Sequence, residues 1–360
     1  MAETEIQQPK QRLQWLDALR GFTMILVVAY HVGLQGFGED VKASSSLSFF
    51  ILFRMPLFFF ISGFLAYKAQ MVWTKNRLGM SIWKKFKIQL IPTLVFLFVA
   101  LMMKYPHPWE SLTNYILISP TKGGYWFTLV LLYMFIIYYV FAYIESKFPM
   151  KSWVPITILW FIALVCYAIL YMPSWFDWPK PNEPVWWNYT CFIQVMQYFH
   201  YFIFGNIVHR YWDKWQKVFD SKWFFPLIVF MALICCCDIF RWHLLRLQWT
   251  NLPRTITIYT LMMIVFLFFR HYQDVFTKEH RRGRFLQYIG VRTLDIYLIH
   301  FLFLPNLKDV GEFLNQTKQN FVLDTTLSVI FGIVIIGFCC LVSNVLRVSP
   351  IFKKYLFGRK

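Results

Sequence analysis

Charged residues are scarce in this chain of 360 residues, where Asp, Glu, Lys and Arg together make up 15%. Soluble domains carry about 25% charged residues, so the composition excludes an ordinary soluble fold. The hydrophobic share of 58% excludes a disordered chain, because disorder requires low hydrophobicity and high charge. The sequence also contains no internal repeat or low-complexity tract, which excludes solenoid and collagen-like architectures. The composition therefore indicates a membrane protein with several spans.

Signals for metal ions and nucleic acids are missing as well. The seven cysteines form no CxxC or Cys/His ligand spacing and lie mostly in apolar runs, so we expect no metal site. Basic residues outnumber acidic ones, 36 to 18, but they lie in short loops between apolar runs. We therefore expect no nucleic-acid partner. The first apolar run is long and carries its own charges, so we expect no cleavable signal peptide.

Ten apolar runs match, or nearly match, the roughly 20 residues that a transmembrane helix requires. We therefore predict an all-α polytopic membrane protein with about ten transmembrane helices. Because this number is even, both termini are expected on the same side of the membrane. The predicted spans are 15–35, 47–67, 88–103, 125–144, 153–172, 189–208, 223–240, 254–270, 291–306 and 323–346.

The distribution of Lys and Arg orients these spans. With a cytoplasmic N-terminus, 24 of the 36 basic residues lie in inner segments and 9 lie in outer loops. The positive-inside rule then places both termini in the cytoplasm. The longest loop has about 20 residues, which is too few for a second domain. The predicted organisation is a cytoplasmic tail over 1–12, a single membrane domain over 13–350 and a basic cytoplasmic tail over 351–360.

The first predicted span contains three ionisable side chains. Such a group is unfavourable inside a membrane by several kcal/mol unless it is paired or hydrated. Asp17 and Arg20 are three residues apart on one helix face and can form an ion pair. His31 follows Arg20 by eleven residues, about three helical turns, and so lies on nearly the same face. We expect this face to point into the helix bundle, with Arg20 in the inner half of the membrane and His31 in the outer half.

The second predicted span runs in the opposite direction and carries Arg54 early and Ser62-Gly63 late. Arg54 is therefore expected near the depth of His31, and Ser62 near the depth of Arg20. Together the two spans are expected to form a polar track across the membrane. Two structural alternatives stay open. A histidine inside a membrane can be a core residue bonded to a carbonyl, and a Ser-Gly pair is typical of close helix packing.

The spacing of Arg20 and His31, with ten intervening residues, resembles the Arg-x10-His signature of the membrane-bound acyltransferase family 3. Further segments resemble that family in the same order, and the likeness extends from about residue 12 to residue 350. The motifs occur in the family's order within the ten predicted spans. These segments are Leu16-Asp17-Ala18-Leu19-Arg20-Gly21, Met55–Phe64, Tyr125-Trp126-Phe127 and Thr293–His300.

The resemblance implies an enzyme that moves an acyl group, most often acetyl, from a cytoplasmic acyl-CoA to a hydroxyl on the far side of the membrane. It also implies a bacterial cytoplasmic (inner) membrane. The implied partners are acyl-CoA, a carbohydrate or glycan acceptor and membrane lipid. No tightly bound cofactor is implied, since acetyl-CoA or another acyl-CoA such as succinyl-CoA is the donor substrate. The histidine that matches His31 is catalytic in the family, and the arginine that matches Arg20 is essential.

The pattern and the resemblance together assign a role to each candidate side chain. His31 is expected to deprotonate the acceptor hydroxyl, and Arg54 to stabilise the oxyanion. Arg20, held by Asp17, suits the phosphates of CoA. The basic segment 68–87 suits them too, although its charge is equally explained by orientation in the membrane. The predicted donor-binding residues are Asp17, Arg20, Ser62 and Gly63, and the predicted acceptor-lining residues are Trp126, Tyr297, His300 and His200. For the two histidines a structural role is the alternative.

A transporter or flippase of a glycan precursor or small organic substrate is the main alternative. Transporters are commonly built from two repeats with broken helices at matching positions, and this sequence contains no convincing internal repeat. A non-catalytic membrane scaffold is the third class considered. A scaffold does not require Arg20 and His31 on one buried face.

Overall fold

The computed structural model describes residues 13–41, 44–148, 150–170, 182–237, 251–316 and 320–356, and this part of the chain is helical without strands. The predicted tail over 1–12 lies outside the described residues, as do 171–172 and 238–240 of two predicted spans and 357–360 of the basic tail. Short π-helical turns occur at Val32–Gly36 and Leu112–Ile116, and short 3₁₀ turns at Lys122–Gly124 and His300–Leu302. The α-helices are α1 (Gln14–His31), α2 (Ser45–Ala66), α3 (Lys75–Lys104), α4 (Pro108–Ser111), α5 (Trp126–Glu145), α6 (Trp153–Ile169), α7 (Trp186–Thr190), α8 (Phe192–Arg210), α9 (Trp212–Phe219), α10 (Phe224–Cys237), α11 (Asn251–His271), α12 (Arg281–Gly290), α13 (Thr293–Ile299), α14 (Lys308–Gln316), α15 (Phe321–Leu346) and α16 (Pro350–Tyr355).

Six helical segments in the described part are long and apolar enough to cross a membrane. They coincide with the first, second, third, fourth, eighth and tenth predicted spans. An all-α protein with several membrane helices is therefore confirmed. The bounds of the six segments are Gln14–Gly36, Ser46–Ala66, Lys75–Lys104, Trp126–Glu145, Leu252–His271 and Phe321–Leu346.

The other four predicted spans correspond to helices that are shorter, bent or more polar. α6 has 17 residues, and α13 with its 3₁₀ turn forms a short apolar segment, Thr293–Leu302. α9 and α10 qualify only if they are counted as one span with a 76° bend. α8 has 19 residues, but polar side chains such as Gln194 and His200 lower its hydropathy. The count of ten spans and the cytoplasmic side of both termini stay predictions.

Two pairs of glycines let four helices touch along their backbones. A Cβ atom at Gly63 in α2 would lie 1.8 Å from the carbonyl oxygen of Phe202, and one at Gly205 in α8 would lie 2.0 Å from a carbonyl oxygen of α2. α1 and α12 cross in the same way, because Cβ atoms at Gly21 and Gly290 would lie 2.0 and 1.7 Å from backbone carbonyl oxygens. No side chain fits at such distances, so both crossings require glycine.

Polar contacts at the two ends of α15 show how the helices run. Near its start, Asp324 accepts a hydrogen bond of 2.8 Å from the hydroxyl of Ser44, the residue just before α2. Just after its end, Arg347 forms an ion pair with Asp295 near the start of α13. α15 therefore runs parallel to α2 and antiparallel to α13. This arrangement places the end of α13 beside the end of α1.

Candidate active site

Two cavities lie along α1, one beside Arg20 and one beside His31. The first has a volume of about 400 Å³ and is called the lysine cavity, because three lysines line it together with Arg20. The second has a volume of about 540 Å³ and is called the histidine cavity. Tyr297 in α13 lines both. The two spaces are therefore neighbours that share one aromatic side chain.

His31, which lines the histidine cavity, has a second histidine as a hydrogen-bond partner that favours one tautomer. His300 Nδ1 lies 3.0 Å from the carbonyl oxygen of Ile296, which can only accept a hydrogen bond. A neutral imidazole has one N–H, so His300 Nε2 carries a lone pair. That atom lies 3.2 Å from His31 Nδ1, which must therefore donate. His31 Nε2 keeps its lone pair in a ring that lines the cavity, which is the arrangement of a general base.

His300 lies behind His31 and not on the cavity wall, where the sequence pattern suggested it. Its side chain is 0% exposed, and it is not among the described residues that line the histidine cavity. The pairing of His31 and His300 joins residues 269 positions apart. It was missed because only the packing of α13 beside α1 brings the two rings together.

Arg54 brings a buried positive charge to the histidine cavity. Its side chain is 7% exposed and lines the cavity. The guanidinium lies over the ring of Tyr30, with 3.6 Å between Cζ and the ring centre, and its Nε has no hydrogen-bond partner. Within the described part of the chain, no Asp or Glu lines this cavity or forms an ion pair with Arg54. The guanidinium also shares a hydrogen bond with Tyr30, so its Nε–H is the donor available to an oxygen of a ligand.

Arg20 is held at the lysine cavity by two partners. Its Nη2 donates to the hydroxyl of Thr293 at 2.8 Å, and its Nη1 lies 3.5 Å from a carboxylate oxygen of Asp17. The expected pair of Asp17 and Arg20 is therefore present, whereas the contact with Thr293 was missed. Thr293 can reach Arg20 because the glycine crossing of α1 and α12 brings the start of α13 close to α1.

The lysine cavity concentrates positive charge. Arg20 shares it with Lys68, Lys84 and Lys85, and none of the described residues that line it is acidic. Burial, and after it the charge of Lys84, lower the pKa of Lys68. Among the described ion pairs, Asp17 is the carboxylate that pairs with a cation of this cavity, Arg20. Such a cavity favours a ligand that carries several negative charges.

Tyr297 and Phe127 form a partition between the two cavities, and hydrogen bonds of the Tyr297 hydroxyl hold it in place. This hydroxyl donates to the carbonyl oxygen of Gly124 and accepts from the backbone N–H of Phe127 at 3.3 Å. The rings of Tyr297 and Phe127 pack with their centres 5.2 Å apart. The partition is therefore a single aromatic layer, fixed at its polar end by the backbone before and within α5.

One wall of the histidine cavity combines aromatic faces with amides. The rings of Trp126 and Tyr198 are stacked with their centres 5.7 Å apart, and both side chains line the cavity together with Gln194 and Gln197. Aromatic surface with a few converging polar groups is typical of small-molecule sites. Trp126, a predicted acceptor-lining residue, thus lines the histidine cavity, whereas the other three residues were not predicted.

The remaining predicted residues are divided between site and scaffold. Ser62 lines the lysine cavity, but the adjacent Gly63 packs against Phe202 of α8 and leaves no room for a donor. His200 is buried in α8 with its Nδ1 2.6 Å from the hydroxyl of Tyr259, and it lines neither of the two cavities. The structure therefore brings Ser62 to the candidate site and places Gly63 and His200 in helix packing.

Comparison with known proteins adds a family to this geometry. The model of a family described as an acyltransferase domain, acyltransferase family 3, matches residues 13–344, from the start of α1 into the last turns of α15. No curated protein and no solved structure matches the chain. Among the described residues, no group of three or more His, Cys, Asp or Glu is arranged to hold a metal ion. Because the family match includes both cavities and nearly the whole chain, the protein is an acyltransferase that belongs to acyltransferase family 3.

Proposed function

We propose that this acyltransferase moves an acyl group, most simply acetyl, from acyl-CoA to a hydroxyl of a carbohydrate or glycan on the opposite side of the membrane. The observation that carries the proposal is the arrangement of two cavities along one helix. A cavity with four basic side chains adjoins a cavity that contains an oriented histidine. Donor and acceptor can therefore enter from different ends and meet at the partition.

The lysine cavity is the proposed donor site. The phosphates of CoA complement Arg20 and the three lysines, which no acidic residue in the described part of the cavity wall neutralises. The charge bias of the loops supports a cytoplasmic location for this end of the bundle, where acyl-CoA is present. Arg20 and His31 are separated by about 16 Å along α1 at 1.5 Å per residue. The pantetheine arm would extend along that path, past Ser62, and bring the thioester to the partition.

The proposed chemistry begins with the acceptor hydroxyl in the histidine cavity. His31 Nε2 takes the proton of that hydroxyl, and the oxygen attacks the thioester carbonyl carbon. Arg54 stabilises the negative charge that develops on the carbonyl oxygen. The C–S bond then breaks, the ester is released, and the CoA thiolate takes up the proton from His31. His300 keeps the His31 ring in the required tautomer throughout.

Two routes share these residues. The hydroxyl attacks the thioester directly, or the acyl group first moves to His31 Nε2 and then to the hydroxyl. Both routes require the same lone pair, so both lose activity when His31 is replaced. Rapid mixing with acetyl-CoA in the absence of acceptor distinguishes them, because a burst of free CoA that matches the enzyme concentration indicates an acyl group on His31 and its absence indicates direct attack.

The proposed function is tested with purified protein in nanodiscs and radiolabelled acetyl-CoA. We expect the wild type to release or transfer label, and a folded His31→Ala variant to do neither. Retained turnover in His31→Ala contradicts the catalytic role of His31. If the folded wild type neither binds nor consumes acetyl-CoA or succinyl-CoA, the acyl-CoA proposal fails. Substrate flux in proteoliposomes without acyl-CoA consumption would then support the transporter alternative.

A further inference from the structure

Lys122 is a buried lysine in the loop that precedes α5. Its side chain is 7% exposed, and its Nζ lies 2.5 Å from the carbonyl oxygen of Leu117, 2.8 Å from that of Ser119 and 2.5 Å from that of Asn188. An ammonium group has three N–H donors, so each donor has its own carbonyl. Two of these carbonyls belong to the same loop, and the third belongs to α7. The ammonium therefore joins two segments that are distant in sequence.

The two segments joined by Lys122 form one wall of the histidine cavity. They are also connected by a bond of 2.9 Å from Gln194 Nε2 to the carbonyl oxygen of Pro120, and by the thiol of Cys191 to the same oxygen at 3.5 Å. The first segment lines the cavity with Thr121, Gly123, Gly124, Tyr125 and Trp126, and the second with Gln194, Gln197 and Tyr198. The Trp126–Tyr198 stack spans the junction.

The backbone at Lys122 adopts a conformation that lysine disfavours. φ is +50° at Lys122, +62° at Gly123 and +104° at Gly124. A left-handed conformation destabilises a residue with a Cβ by about 1–2 kcal/mol, and it persists only where the surroundings determine it. Here the three hydrogen bonds from the Lys122 ammonium to backbone carbonyls hold the residue in this conformation. The carbonyl of Gly124, at the end of this turn, accepts the Tyr297 hydroxyl bond that fixes the partition.

We propose that Lys122 is a positioning residue for the acceptor. Its ammonium holds the loop before α5 against α7 and α8. This contact sets the distance between Trp126 and Tyr198 and, through Gly124, the position of the partition. This inference rests on the proposed acceptor role of the histidine cavity. None of residues 117–126 lines the lysine cavity, and this loop contacts it through Tyr297 of the partition. The effect of Lys122 is therefore expected first on the acceptor side. A purely structural lysine would instead affect both cavities through the stability of the fold.

The experiment compares full-length wild type with Lys122→Met, which keeps the length of the side chain and removes the three donors. Lys147→Met, which changes an exposed lysine after α5, is the matched control. Three quantities are measured in nanodiscs: the dissociation constant of acetyl-CoA, amide hydrogen exchange across 117–126 and 186–194, and the ratio of acetyl transfer to acetyl-CoA hydrolysis. The transfer probes are the methyl glycosides of glucose, galactose and N-acetylglucosamine. Gln194→Leu, which removes a neighbouring bond of the same wall, serves if Lys122→Met does not fold.

We expect faster exchange in Lys122→Met within those two segments only, an acetyl-CoA dissociation constant within about twofold of wild type, and a transfer-to-hydrolysis ratio lowered at least about tenfold. Unchanged exchange in both segments overturns the proposal even if no glycoside is an acceptor. Equal loss of acetyl-CoA binding, hydrolysis and transfer also overturns it, because that result indicates a structural role. A wild type that fails to bind acetyl-CoA instead contradicts the proposed function, while the exchange result still decides whether Lys122 holds the wall.

Discussion

At the scale of single residues, the proposed base depends on the hydrogen bond behind it. His300→Phe removes the acceptor that His300 offers to His31 Nδ1 and leaves the ring oriented by its backbone hydrogen bond to Val27. We expect kcat to fall by about 10²-fold or more, as for other orienting partners of a catalytic histidine, with the KM for acyl-CoA unchanged. His300→Gln should recover part of the loss, because its carbonyl oxygen can accept the same bond. Steady-state kinetics on acetyl-CoA measure both, and a fully active His300→Phe would contradict the tautomer assignment.

Variants of Arg54 distinguish stabilisation of the oxyanion from binding of acyl-CoA. Arg54→Gln removes the guanidinium that faces the histidine cavity, and we expect kcat to fall by about 10²–10³-fold, the usual effect of losing an oxyanion donor. Arg54→Lys should be intermediate, because it keeps the charge and loses the fork. The measurement is the kcat and KM of acetyl-CoA turnover in detergent. A higher KM with unchanged kcat would move Arg54 to the donor site.

Glu39, outside the site, makes stability depend on pH. Its side chain is 5% exposed, and burial, with an added effect of the Asp324 charge, raises its pKa from 4.5 to about 7. Because the folded state binds this proton more tightly, the associated stability is complete below the unfolded pKa and is lost as pH rises through about 7. The melting temperature of Glu39→Gln, taken relative to that of wild type, should therefore be higher at pH 8 than at pH 5. Glu312→Gln, an exposed position in α14, is the control. If the melting temperatures of Glu39→Gln and wild type differ by the same amount at pH 5 and pH 8, the pH effect does not come from Glu39.

At the scale of elements, the glycine crossings determine where the site residues lie. A methyl group at Gly63 or Gly290 would lie 1.8 or 1.7 Å from a backbone oxygen of the facing helix. We expect Gly63→Ala and Gly290→Ala each to lower the melting temperature and the activity, because backbone must move at both positions. Gly79→Ala and Gly337→Ala are matched controls, since a Cβ there meets nothing within 4 Å. Thermal melts of the four variants decide the prediction, and equal melting temperatures would contradict it.

Helix periodicity was sufficient to predict the polar face of α1 but not its partners. The spacing of Asp17 and Arg20 within one helix predicts a contact that the structure contains. The run over 291–306 was predicted as one span, yet the chain forms the short helix α13 and a 3₁₀ turn there. The pairing of His300 with His31 depends on the packing of α13 beside α1. Likewise the space beside Gly63 is open only in the isolated helix, because the backbone of Phe202 in α8 occupies it in the folded chain.

At the scale of the whole molecule, composition predicted the all-helical membrane class, and the order of motifs predicted the family. The placement of Arg20 at one cavity and of His31 with Arg54 at the other agrees with antiparallel α1 and α2, which the sequence also predicts. The wall formed by Lys122, Gln194 and Tyr198 was not predictable. Its contacts join the loop before α5, which carries no periodic signal, to α7 and α8, and these segments meet only in the folded chain.

The separate roles of the two cavities, donor binding and base catalysis, are tested most directly by comparing Arg20→Gln with His31→Gln under the same conditions. Acetyl-CoA affinity and single-turnover rate are measured for both variants and for wild type. The two-cavity arrangement predicts that Arg20→Gln weakens acetyl-CoA binding by about tenfold or more, as expected for loss of a charge-assisted contact. It predicts that His31→Gln binds acetyl-CoA within about twofold of wild type and has no measurable turnover. Turnover in His31→Gln, or equal loss of acetyl-CoA binding in both variants, would contradict separate donor and base sites.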